Sequence, residues 1–196
     1  MGNRRGIDIV GLTRRRRSER PIGRTPNAEL GQALAEFALV APIMVLIFAG
    51  AAQFALIFER QIGIENAVRD GARRAATYDT TSVNACTNAS SIWTQVFGSG
   101  QLMQTNVQGY DGSQLVIGSV TYADQGADAS GHTSVRVTVT ASYRHPLFMP
   151  IITQIIDGID GTLDNALAIQ TNSTFTVQND AAQNSSVGGT VSFPGC

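Results

Sequence analysis

The chain has 196 residues and a formal charge of −1, but that charge is divided. Residues 1–31 hold eight Arg against Asp8, Glu19 and Glu29; residues 32–196 hold six Arg against twelve acids, and Lys is absent throughout. Two His and two Cys are too few for a multi-His metal site, a zinc ribbon or a CxxC redox pair, and no GxGxxG or GxxxxGK[ST] loop is present to cradle phosphate.

The basic N-terminal segment, with Arg14–Arg17, Arg20 and Arg24, leads into an apolar run. Residues 37–58 read FALVAPIMVLIFAGAAQFALIF, 22 residues without a charge, in which only Gln53 is strongly polar. As a helix this run is about 33 Å long, enough to cross a hydrocarbon core of about 30 Å. The Arg excess lies on its N-terminal side, so that side is expected in the cytoplasm and the remainder outside it. Beside a span, the Arg run reads as a topology signal, and no nucleic-acid partner is expected. Ala49-Gly50-Ala51 keeps one alternative open, a secretory signal released near Gln53.

Two residues of this region stand out. Glu36 places a carboxylate at the edge of the span, where it needs a partner or a use. Pro42 removes one helix hydrogen bond and crowds the carbonyl of Ala38, so a kink is expected there. Past the span, Ile64, Val68, Ala72 and Ala76 recur at i+4 and extend the helix to about Thr77. Gly63 and Gly71 each weaken that helix by about 1 kcal/mol relative to Ala. The cluster from Arg69 to Arg74 reads as a solvated helix face, with a partner contact as its alternative.

From Thr77 onward Ser, Thr, Asn, Gln and Gly become common. Residues 89–97 predict a short helix capped by Ser90. Residues 115–122 and 133–143 predict strands, the second with Val135, Val137 and Val139 on one face and His145-Pro146 ending it. Residues 147–156 are apolar, a buried short helix or a segment grazing the membrane. Residues 162–178 predict a last strand or strand pair, and 184–189 a Gly/Ser-rich tail. The expected fold class is α+β: a long N-terminal transmembrane and stalk helix followed by a small, mainly antiparallel β domain. The expected boundaries are 1–31 for the leader, 32–78 for the helix and 79–196 for the exported domain. Export favours a Cys86–Cys196 disulfide, which closes a loop of about 110 residues and pins the C-terminal segment.

The stretch from Gly31 to Ala76 resembles the N-terminal signature of TadE-like (TadE/TadG) proteins, minor pilins or pseudopilins of Flp (type IVb, Tad) pilus systems. The resemblance lies in the G-x-x-x-x-E-F junction of Gly31–Phe37, in Pro42 and in the Arg-Asp-Gly-Ala-Arg cluster from Arg69 to Arg73. It implies cleavage between Gly31 and Gln32 by a membrane-embedded prepilin peptidase, so that Gln32 opens the mature chain. Glycine suits that position, because without a Cβ the backbone approaches catalytic carboxylates closely. It further implies that Glu36, with Phe37 beside it, guides assembly by meeting the new α-amine of its own or a neighbouring subunit. The implied partners are the peptidase, other pilins, the Tad machinery and the lipid bilayer; the implied location is the inner membrane of a bacterium, single-pass. The rival class is an anchored extracytoplasmic ligand-binding protein that never enters a fibre.

Other chemistry finds little support. Asp157–Asp164 is Asp- and Gly-rich but lacks the EF-hand spacing and terminal Glu, so a Ca²⁺ site is not favoured. His132 and His145 lie in no nucleophile-elbow context, so no enzyme, catalytic residue, metal or cofactor is expected. Trp93 is expected to anchor the core.

Overall fold

The computed structural model describes residues 26–127, 129, 133–149, 153, 154, 158, 161, 165–178 and 186–196, with side chains from residue 31 onward. The chain forms two compact units, Met1–Met44 and Val45–Cys196. Helix α1, Pro26–Ala75, contributes to both. In the first unit, residues 31–40 are all exposed although most are apolar. The helix begins six residues upstream of the predicted Gln32, so Gly31 lies inside it. Proline is tolerated at its first position, where the backbone N–H has no intrahelical partner to lose. It also continues through Pro42.

The second unit is an antiparallel sheet with helices on one face. After α1 come α2 (Ala85–Phe97), α3 (Leu102–Asn106) and a 3-10 turn at Gly112–Gln114. Four strands follow: β1 (Leu115–Gln125), β2 (Ser134–Pro146), β3 (Ala166–Thr176) and β4 (Thr190–Phe193). Their order is β3-β2-β1-β4, every pair antiparallel. Val120 lies opposite Val139 and Tyr122 opposite Val137; on the other side Val137 faces Phe175 and Tyr143 faces Ile169.

The alternation in β2 explains which face is covered. Val135, Val137, Val139, Ala141, Tyr143 and His145 are buried, while Arg136, Arg144 and Pro146 are exposed. A period of two residues puts the first set on one side of the pleat. Each fully buried Val contributes about 1.5–3 kcal/mol relative to exposure. The outer face is polar and carries cross-strand pairs, Thr138 with Thr174 at 3.0 Å and Thr121 with Ser192 at 2.9 Å.

α1 presents a matching stripe. Gly50, Gln53, Ile57, Ile64, Ala67, Val68, Ala72 and Ala75 are buried, a set spaced for one helix face, and Ala76, just past the helix end rather than within the predicted extension to Thr77, is buried as well. Arg69, Asp70, Arg73 and Arg74 point outward, as expected of a solvated face. The sheet also terminates this helix. Its last carbonyls have no intrahelical donor; the Tyr122 hydroxyl donates to the Ala75 carbonyl at 3.2 Å and the Gln178 N–H to that of Ala76 at 2.8 Å. Burial pushes the Tyr122 pKa up to about 12, so the hydroxyl keeps its proton at neutral pH.

Several expectations shift in detail. α2 begins at Ala85, not residue 89, and is preceded by Asn84 in place of the predicted Ser90 cap; the Asn84 side chain holds the preceding turn by accepting from the Thr81 N–H at 2.6 Å. β2 runs through His145-Pro146 rather than ending before them, because Pro146 closes the strand where a ladder N–H is dispensable. β4 was not expected. Trp93 is half-buried as an anchor: its indole N–H donates to the Gly118 carbonyl at 2.8 Å and its ring packs on Phe97 and Phe193. The predicted segment 147–156 is described only at 147–149, 153 and 154; most of 157–164, and His132, lie outside the described residues.

Candidate functional site: the N-terminal junction and its supports

The junction singled out by sequence is helical. Gln32 and Glu36 are one turn apart, so their side chains share a face. The Gln32 side-chain amide donates to the Glu36 carboxylate at 2.9 Å. That bond gives Glu36 one partner inside its own chain and leaves the rest of its acceptor capacity open. Both residues are exposed, and Leu34, Phe37 and Leu39 beside them are 68, 69 and 71% exposed. From Leu34 to Phe48 large apolar side chains project on every side of the helix. A helix apolar all round is stable only inside lipid or a packed assembly. Among the described residues, one helix, Gly31–Ala75, is long and apolar enough to cross a membrane.

Gln53, the polar exception in the apolar run, has no exposed surface. It lies on the stripe of α1 that turns toward the sheet, so its polarity is kept off the outer helix surface. Neither its amide oxygen nor its nitrogen has a hydrogen-bond partner.

Two devices fix the C-terminal segment beneath α2. Cys86 and Cys196 form a disulfide with Cα atoms 5.9 Å apart, across 110 residues of sequence. Asp124 forms the second, unnoticed in the sequence because its partners lie more than 60 positions away. Its carboxylate accepts from the Ser186 hydroxyl at 2.6 Å and from the N–H groups of Val187 and Gly189 at 2.7 and 2.8 Å. Burial opposes its ionisation, but these donors outweigh burial and hold the carboxyl below the usual carboxylate range.

Residues 31–73 match the TadE-like protein family. The TadE-like segment opens at Gly31, includes Gln32, Glu36, Phe37 and Pro42, and closes on Arg73. This bears out the resemblance and associates the segment with components of Tad pilus systems, a structural family, and with a membrane anchor. No curated protein and no solved structure matches the chain. Among the described residues no group of three or more His, Cys, Asp or Glu is placed to hold a metal ion.

Sequence reasoning also missed His145, which reads as a strand terminator but is 2% exposed with both ring nitrogens unpartnered. Burial, and secondarily the charge of Arg60, hold its pKa below the usual value. The fold therefore favours the neutral ring. Its contribution is complete above the unfolded pKa of about 6.5 and declines as pH falls below that toward the folded value. Acidifying the detergent-solubilised protein from about pH 7 to about pH 5 should lower its denaturation midpoint. His145→Leu should flatten that dependence and raise neutral-pH stability by about 1 kcal/mol, since two unmet polar atoms are removed. Equal pH slopes for both proteins count against this assignment.

Proposed function

We propose that the protein is a membrane-anchored, prepilin-like structural component of an Flp/Tad type IVb pilus, inserted with its sheet domain outside the inner membrane and trimmed by a prepilin peptidase between Gly31 and Gln32. The observation that carries this reading is the coincidence of the TadE-like match, which begins at Gly31, with an apolar stretch of α1 (residues 31–58) whose one carboxylate, Glu36, stands five positions later. The Cys86–Cys196 disulfide supports this orientation, because such bridges persist in oxidising compartments.

Cleavage replaces the Gly31–Gln32 amide with an α-ammonium of pKa near 8, one helical turn from Glu36. The Gln32–Glu36 hydrogen bond supports the reach of that pairing, since it already spans the same turn. In lipid or in a fibre, the cation compensates the carboxylate, within one chain or between neighbours. Because α1 continues through Gly31, the peptidase must draw the bond out of helical geometry, and glycine lowers that cost by about 1 kcal/mol relative to Ala. Release near Gln53 by signal peptidase is disfavoured, since Gly50, Gln53 and Ile57 are already packed in the second unit.

Glu36→Ala tests the reading. Terminal sequencing of the cell-associated chain should begin at Gln32 for both wild type and variant, while the variant's share in sheared pilus fractions should fall about tenfold or more, the loss of one buried charge pair of roughly 1.4 kcal/mol or above. An intact leader in pilus-competent cells removes the pilin assignment. Normal incorporation of the variant removes the pairing.

A further inference from the structure

The lower end of the sheet overlaps the apolar run of α1. Tyr122, paired with Val137, bonds the carbonyl of Ala75, while Tyr143 accepts from the Arg60 guanidinium at 3.4 Å. Six residues of β2 thus run alongside fifteen of α1, about 20 Å and about 22 Å, in opposite directions. Continuing at the same pitch, Leu147 and Phe148 come level with the helix near Ala51. The burial agrees: Leu147 is 8% and His145 2% exposed on the strand side, and Gly50, Gln53 and Ile57 are buried on the helix side.

The helix outside this contact is too short to span alone. From Phe37 to Ala49 there are thirteen charge-free residues, about 20 Å, against about 30 Å of hydrocarbon. Filling the bilayer without drawing Glu36 inside it uses the helix to about residue 56. Among those further residues Gly50 and Gln53, with Ile57 one turn on, are buried within the second unit. On the free sides Phe54, Leu56 and Phe58 are 50, 40 and 61% exposed. Phe148, at the matching level of the domain, is 58% exposed, with exposed Arg144 and half-buried Arg60 set back from it. Exposed aromatic side chains with Arg set back from them fit a bilayer interface.

We infer that the sheet end carrying Phe148 is itself a membrane-binding surface, seated in the outer interface of the bilayer that α1 crosses. This rests on the anchored reading above. It gives the unpartnered Gln53 a sheltered place, beneath the domain and away from lipid tails.

The test uses the full-length protein in phospholipid nanodiscs, with the native disulfide kept and single nitroxide labels at Phe148→Cys, Phe48→Cys and Val83→Cys. Val83 is 92% exposed near the far end of the unit and serves as the aqueous reference. The label at 148 should collide more with oxygen than with an aqueous nickel chelate, as at 48, while that at 83 shows the reverse. A label at 148 that behaves like 83, with 48 still in lipid, overturns the inference and leaves the anchor standing. Aqueous behaviour at both 48 and 148 overturns the anchor as well. Shielding of 148 from both reagents, relieved by dilution with unlabelled protein, assigns the surface to a second copy and overturns the inference.

Discussion

Replacing Cys86 with Ser should lower the unfolding free energy by about 4–5 kcal/mol, the largest single effect expected in this molecule. The bridge spans 110 residues, and closing a loop of that size removes that much entropy from the unfolded chain. What remains to hold the C-terminal segment is slight. β4 pairs with β1 over only four residues, Val120–Ala123 against Phe193–Thr190. Trp93 against Phe193, with ring centres 5.7 Å apart, and the Asp124 contacts to residues 186–189 complete the attachment. A four-residue edge strand without a covalent tie is marginal. Amide exchange at residues 190–193 should therefore accelerate before the rest of β1 and β2 is affected. Adding Asp124→Ala should release the segment entirely. Denaturant titration in detergent, with and without reductant, measures the first effect; an unchanged midpoint in the Ser variant would show that the fold does not depend on the bridge.

Gly63→Ala should destabilise the protein by about 1–3 kcal/mol, although Ala is the better helix former by about 1 kcal/mol. A Cβ at Gly63 collides with the carbonyl oxygen of Asn106 at the end of α3, a backbone atom with little freedom to yield. At Gly71 the obstacle is different, the Val96 Cγ2 methyl of α2. Gly71→Ala should also destabilise, but Val96→Ala opens room for the new methyl. The double variant should then be more stable than the sum of the two single losses predicts. No side-chain truncation offers the same relief at Gly63, because the clash is with main chain. Thermal midpoints of the wild type and these four variants decide this. A stabilised Gly63→Ala would mean that α3 moves aside freely.

These glycines show where the sequence was legible and where it was not. Within α1 they look like defects, because helix propensity is a local quantity. Their purpose lies in the close approach of α2 and α3, which the local pattern does not contain. The apolar stripe Ile64–Val68–Ala72–Ala76 was readable because burial on a helix repeats at i+4, and every member is buried. β2 was readable for the same reason at period two. β4 was not, since TVSF is short, lies beside Gly188-Gly189, and becomes a strand only because β1 offers an edge and Cys196 is tied back to α2. At the junction, Glu36 stood out as a carboxylate at the edge of the apolar run, Gly31 and Gln32 only through the family resemblance, and the Gln32–Glu36 contact follows from one helical turn. Asp124 and His145 were invisible because their meaning depends on groups far away in sequence: the turn at 186–189 for one, Arg60 and the covering helix for the other.

The chain contains two cysteines, and both are consumed in one bond. Cys86 is synthesised 110 positions ahead of its mate. In that interval the molecule offers it nothing else to join, so scrambled isomers within one polypeptide do not arise. The hazard is instead between neighbours: two chains whose cysteines are reduced at the same time have only each other as further partners, and the covalent by-product is a dimer sensitive to reductant.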